Sequence, residues 1–272
     1  MLAVRTTDRT GIVLRGKDRV AWLNGLVTCD LAKRGPKDAT YGLIVEKKGR
    51  IVADFYAVPG TDALALLVPA DLRDGLIETL DHYLIMEDVE LTAEDLTLFV
   101  AQGNAGLDAP FTGAMDVLGQ PGAAYAVPAG DSDAFASKLE LVDEAAWEAR
   151  RIEHGLPRFG VEVDATLYPQ EASLEKIAVS FDKGCYLGQE VVYMLENRGH
   201  VKRKLVPLDV DGDAPLAKGD AVTTPDGAAV GDVKSSVLGP SSGKPVAIAM
   251  VKWAQSKPGT ELRVGERVAR VR

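Results

Sequence analysis

Lys183-Gly184-Cys185-Tyr186-Leu187-Gly188-Gln189-Glu190 sets a thiol, a cation, two glycines and two polar side chains within one short stretch. Cys185 follows a glycine that lets backbone approach closely and stands two residues after Lys183, and the run from Gly188 to Leu195 reads as the start of a helix. A cation and a helix N-terminus both favour thiolate over thiol, which makes Cys185 the candidate catalytic residue. Taken alone, a cysteine between glycines is more often an inert, partly buried small side chain. The rest of the chain has to decide between the two.

With 272 residues, 46% of them hydrophobic and 26% charged, the chain has enough apolar material for more than one core and too much for disorder. No apolar run approaches the roughly 18 residues that span a bilayer. The longest lies at about residues 63–70, and the N-terminal stretch lacks the hydrophobic region of a signal peptide, so the expected location is the cytoplasm, with no membrane partner. Cys29 and Cys185 then read as free thiols. His82, His154 and His200 show no metal-ligand spacing, and no protein-only metal centre is expected. A net charge of −9 disfavours direct binding to nucleic acid, which needs a basic face. Arg198, His200, Lys202, Arg203 and Lys204 depart from that average; they read as a solvated basic turn or as a receiver for an anionic tail or phosphate.

Toward the N-terminus, residues 11–15 read as a strand, followed by Asp18 as a helix cap and Val20, Leu23, Leu26 and Val27 at helical spacing. Two apolar runs flank Lys47-Lys48-Gly49 as a hairpin. Asp54, in its second strand, either alternates outward to solvent or points inward as a site carboxylate. A weak internal repeat follows. Residues 63–74 and 122–133 each read as a strand ending in Val-Pro-Ala and then acids placed to cap a helix. With strands expected around residues 89–92 and 96–101, this half interleaves strands and helices in an α+β arrangement.

Asp143 is placed to cap the next helix, which Gly155-Leu156-Pro157 stops. Residues 159–183 show no clear period and read as a long loop, functional or poorly ordered, with Glu175 and Lys176 in a solvated turn. After Lys204 the chain becomes short strands separated by Gly, Pro, Asp and Ser turns, the pattern of a small barrel or sandwich. Two domains are expected, residues 1–204 and 205–272.

The octet resembles the signature of the YgfZ family, the folate-binding relatives of the glycine-cleavage aminomethyltransferase. Further segments in family order carry the same resemblance. They are Trp22-Leu-Asn-Gly-Leu-Val-Thr-Cys-Asp30, the hairpin at residues 48–55, Arg151-Ile-Glu-His-Gly-Leu-Pro-Arg-Phe-Gly160, and Leu167-Tyr-Pro-Gln-Glu-Ala172. The resemblance implies a GcvT-like ring of subdomains ending in a small β-barrel, and a channel that binds tetrahydrofolate or a one-carbon derivative. It also implies a role in maintaining iron–sulphur enzymes, tRNA thiolation among their products, with iron–sulphur client or assembly proteins as partners.

On that resemblance, Glu153 matches the position whose carboxylate suits a pterin edge. Arg151 serves the glutamate tail or pairs with helix neighbours of Glu153. Glu171 is similar to an acid near the channel, and Lys183 belongs to the signature. Gln189 and Glu190 are expected to hydrogen-bond the motif's own backbone and fix the thiol. Asp54 corresponds to the second position of a paired-acid stretch in the aminomethyltransferases; Ala53 occupies the first, which argues against aminomethyl transfer. The function implied is therefore a folate-using maintenance factor, with a folate-dependent one-carbon transferase as the alternative. Cys29 has no assigned role.

Overall fold

The two Val-Pro-Ala segments fold alike. In the computed structural model, which describes residues 2–103 and 106–272, the first half of the chain runs β1 (Ala3–Arg5), β2 (Arg9–Arg15), α1 (Arg19–Asn24), β3 (Thr40–Val45), β4 (Ile51–Pro59), β5 (Leu64–Pro69), α2 (Arg73–Asp81) and β6 (Glu90–Glu94). It continues with β7 (Leu96–Gln102), β8 (Phe111–Val117), β9 (Gln120–Pro128) and α3 (Ser132–Ala136). Strand β5 pairs antiparallel with β2 so that Arg9 faces Pro69; β9 pairs antiparallel with β7 so that Leu96 faces Pro128. The N–H of Ala70, just past one proline, donates to Asp8 O at 2.9 Å, and that of Ala129 donates to Asp95 O at 2.8 Å. A short 3-10 turn then leads into α2 and α3 respectively. The matched register, crossing bond and exit make the repeat structural. The acids play no capping part, because neither helix start carries a side-chain cap bond and the fixed proline φ sets the turn instead.

The repeats build two antiparallel sheets, ordered β3-β4-β5-β2-β6 and β1-β7-β9-β8. Every residue of β5 is buried, as its unbroken apolar run requires of a central strand. Ile12, Leu14, Phe55 and Leu66 join Trp22 and Leu23 of α1 in one core; Phe99, Tyr125 and Phe135 centre the other. Asp18 does not cap α1. Its carboxylate accepts the N–H of Asp88 at 2.9 Å, and the helix closes within six residues. No helix among the described residues is long and apolar enough to cross a membrane.

The chain divides into two compact units. The sheets belong to the first, which takes residues up to Lys47, Val52–Glu144 and Ile177–Gln189; the second takes Lys48–Ile51, Ala145–Lys176 and Glu190–Arg272. Near these boundaries run α4 (Glu144–Glu153) and α6 (Gln189–Asn197), which lie in the second unit but for their first residue, and α5 (Glu175–Ala178), which the division splits. Then come β10 (Arg203–Val210), β11 (Ala221–Thr223), β12 (Ala229–Leu238), β13 (Pro245–Lys252), β14 (Glu261–Val264) and β15 (Arg267–Val271), closed into a barrel in the order β10-β13-β12-β11-β14-β15. Closure leaves no sheet edge open and buries Leu208, Val233, Ala249 and Leu262 inside. Residues 159–183 are not a loose loop. Leu167, Ala172, Leu174 and Ala178 are buried, and so is Glu175, whose carboxylate accepts from Lys204 Nζ at 2.7 Å. Of the expected solvated turn only Lys176 is exposed.

Candidate functional site

In the first unit, the octet is mounted on the segment that follows α1. The Thr28 hydroxyl donates to Ala178 O at 2.6 Å, Ser180 N–H to Thr28 O at 2.9 Å and Leu187 N–H to Gly25 O at 3.2 Å. Lys183 is the clamp. Its buried ammonium donates to the carbonyls of Asn24, Val27 and Cys29 at 2.5, 2.8 and 2.7 Å, using all three of its donors. Burial pulls its pKa down to about 8. The charge expected to activate Cys185 is thus committed to the backbone of residues 24–29, and no hydrogen bond joins it to the thiol. Gly188 is sterically obligatory: its φ is +79°, and a Cβ there would lie 2.4 Å from Glu46 O. Gly184, by contrast, faces open space, with no atom within 4 Å of an added Cβ. The close backbone approach expected before the cysteine therefore occurs three residues after it.

On this mount Cys185 is exposed, whereas Cys29 is buried and burial pushes its thiol up to about 12. Gln189 closes the last turn through its N–H to Tyr186 O at 3.2 Å. Among the described residues, neither its side chain nor that of Glu190 bonds the motif's backbone; the turns and Lys183 supply the rigidity expected from them.

Asp54, in the same unit, points inward. Arg9 Nη2 donates to its two carboxylate oxygens at 2.9 and 2.7 Å, and the Tyr41 hydroxyl donates at 3.0 Å. Arg9 and Asp54 are 5% and 2% exposed, so the pair is desolvated and depends on its mutual bonds. Burial works against the charge on Arg9, but Asp54 more than offsets it and the guanidinium pKa rises. Burial and the Asp54 charge both raise Tyr41, which keeps the phenol protonated as a donor. The outward alternation available to a strand acid fails here because Arg9, across the sheet, provides an internal partner.

In the second unit, Glu153 and Arg151 end α4 and face different partners. Both carboxylate oxygens of Glu153 accept the N–H of Ser241 at 3.1 Å, and one accepts that of Ser242 at 2.9 Å. Burial pushes its pKa up, the backbone and side-chain hydrogen bonds from Ser242 and Ser241 together outweigh that, and the net shift is downward. Arg151 bonds Glu148, Glu162 and the Leu156 carbonyl with all five of its N–H groups. The pairing alternative for Arg151 is the one the structure adopts. Glu171 accepts from Arg203 Nε at 3.3 Å and from Tyr168 N–H at 3.2 Å. Arg203 and Lys204 of the basic turn thus pair with buried acids, leaving Arg198, His200 and Lys202 exposed, with His200 stacked on Trp253 at 4.1 Å. Among the described residues of each unit, no expected site residue's side chain bonds that of another.

Sequence reading missed Arg9, Tyr41, Glu162 and the loop at Ser241 and Ser242. Arg9 and Tyr41 gave no signal, since each sits in the polar first residues of a strand whose apolar run follows it. Glu162 sits in an aperiodic stretch. Gly239-Pro240-Ser241-Ser242-Gly243 carries the residues of any surface turn, and only its donors' acceptor marks it as more.

Residues 203–272 match the family model described as the glycine cleavage T-protein C-terminal barrel domain. The whole fold aligns with the crystal structure of glycine cleavage system aminomethyltransferase T from Bartonella henselae at a TM-score of 0.84 and 22% identity, covering 99% of this chain and 84% of that one. Fold and barrel together define an aminomethyltransferase-like α+β protein. In sequence it is similar to the tRNA-modifying protein YgfZ of Sodalis glossinidius, 29% identical over 234 residues that cover 77% of this chain and 71% of the relative. It is also similar to a mitochondrial iron–sulfur cluster assembly factor homolog of Neurospora crassa, 25% identical over 244 residues, 79% of this chain and 56% of that one. These likenesses support placing the chain with the YgfZ proteins, whose sequences it matches at 25–29% identity over about three quarters of its length.

Proposed function

We propose that this protein binds tetrahydrofolate or a one-carbon derivative and supports the assembly or repair of iron–sulphur enzymes, those of tRNA modification among them, with Cys185 as its working thiol. The observation that carries this reading is the contrast between the two cysteines: one is buried with its thiol pushed up to about 12, the other exposed on a loop fixed by a buried lysine. The names of the relatives, a tRNA-modifying protein and an iron–sulfur cluster assembly factor, support the same direction. Clusters normally take four protein ligands, so Cys185 ligates a client's cluster only by sharing it.

The residues present fit a pterin. Glu153 is a carboxylate with a lowered pKa, held in place by Ser241 and Ser242, and a pair of carboxylate oxygens suits the adjacent N–H donors of a pterin edge. Bound tetrahydrofolate supplies a carrier for one-carbon units. Arg151 and Lys183, whose donors are all engaged, act in this reading as scaffold for Glu153 and Cys185. A one-carbon transferase would need a carboxylate free to move a proton; Asp54, held by Arg9 and Tyr41, is poorly placed for it.

Calorimetric titration of tetrahydrofolate tests the site. Glu153→Ala is expected to weaken binding by roughly 1.5–3 kcal/mol, the worth of a charge-assisted hydrogen bond. Unchanged affinity would place the ligand elsewhere.

A further inference from the structure

Glu153 is the last residue of α4, where the partial negative charge of the helix terminus disfavours an anion. Its carboxylate is nevertheless buried, and the groups that compensate come from a different element, the turn between β12 and β13. That turn is closed on itself: Gly243 N–H donates to Gly239 O and Gly239 N–H to Lys244 O, both at 2.8 Å. Closure aims the N–H groups of Ser241 and Ser242 at the carboxylate. A Cβ at position 239 would stand 2.4 Å from both Glu153 Oε1 and Ser242 Oγ, so a side chain there would displace the carboxylate from its seat on the turn. The backbone carbonyl of Glu153 is held as well, by Arg272 Nη1 at 2.5 Å, and Arg272 also pairs with Asp209.

We propose that the barrel turn formed by residues 239–244 is the positioning element of the folate site, its backbone N–H groups fixing the Glu153 carboxylate in the orientation that a ligand meets. The inference rests on the reading of Glu153 as the pterin acceptor and adds what sets its geometry and selectivity. Oε1 accepts the N–H groups of both serines and Oε2 that of Ser241, so the turn sets the direction in which the two oxygens meet a planar ring edge that carries two adjacent N–H donors. A 2-amino-4-oxo pyrimidine edge has that pattern, and an edge with a single donor does not. Ser241 and Ser242 thus act through Glu153 rather than on the ligand, and Gly239 is needed to let them approach.

The test uses the full chain, with 5-formyltetrahydrofolate as the probe, in wild type, Gly239→Ala and Glu153→Ala. Three readouts are taken: affinity, the amide resonances of Ser241 and Ser242, and the carboxyl-carbon titration of Glu153. The charged groups on the surrounding elements are Arg272 with Asp209, Lys244 in the turn, Arg150 on α4 and His154 just past its end, the His154 ring being bonded to the Arg150 carbonyl. None of these changes in the variants. The expected results are a loss of affinity of about tenfold in Gly239→Ala, a Glu153 titration moved to higher pH in that variant, and movement of both amide resonances when ligand is added to wild type. Affinity in Gly239→Ala within twofold of wild type, while Glu153→Ala has lost binding, would overturn the positioning role and leave the folate reading standing. Should Gly239→Ala not fold, wild-type amides that do not respond to ligand overturn it equally. Unimpaired binding by Glu153→Ala removes the folate site itself and this inference with it.

Discussion

Two cysteines in one chain differ here only in what surrounds them. Cys29 lies in the core beneath the first sheet, where burial lifts its thiol to about 12; Cys185 stands in the open. At pH 8, iodoacetamide is therefore expected to alkylate Cys185 alone in the folded protein and both residues after denaturation, as mass spectrometry of the digested chain would report. Alkylation of Cys29 at a comparable rate in the folded protein would refute its burial. The Arg9–Asp54 pair makes a second prediction at this scale. Asp54→Asn leaves a buried guanidinium without its counter-charge and is expected to destabilise the first unit by about 3–5 kcal/mol in urea unfolding. A loss below about 1 kcal/mol would mean the pair is not desolvated as described. Cys185 was legible in the sequence because a thiol, a lysine and two glycines crowd one octet. The Asp54 partner was not, because nothing in a strand's alternation says which residue lies across the sheet.

Among the elements, the octet loop owes its shape to Gly188 and Lys183. Gly188→Ala combines a left-handed φ with a backbone collision and is expected to lower stability by about 1–3 kcal/mol. Gly184→Ala adds a methyl group to open space and is expected to be neutral within about 0.5 kcal/mol. Paired thermal melts of the two variants decide between this mount and one centred on the cysteine's preceding glycine; equal losses would contradict it. In the central strand of the larger sheet, Leu66→Ala is expected to cost about 2–5 kcal/mol through the cavity it leaves. The Val-Pro-Ala repeat was legible because proline and apolar runs leave a strong local signal. Strand β8 was not: Gly113 and Asp116 break its apolar pattern, and it exists through its pairing with β9. Residues 159–183 escaped for the opposite reason, since they bury side chains through successive turns that have no period to detect.

On the scale of the whole molecule, each compact unit carries one part of the proposed function. The first presents the thiol on a loop zipped to the segment after α1. The second holds Glu153 between the end of α4 and the barrel turn. The barrel was legible from six short strands and their turns, and its closure follows from their antiparallel ladders. The α+β class was legible from the interleaved periods of the first half. What the carboxylate of Glu153 touches was not, because its partners are backbone groups more than 80 residues away, and backbone donors have no sequence signature. The most direct test of the central claim combines both units in one experiment. Cells lacking the protein are complemented with wild type or Cys185→Ser while an iron–sulphur enzyme's activity is measured, and the purified variant's tetrahydrofolate affinity is compared with wild type. Unchanged affinity together with failure to restore the enzyme is the predicted result; full restoration by Cys185→Ser would contradict the account.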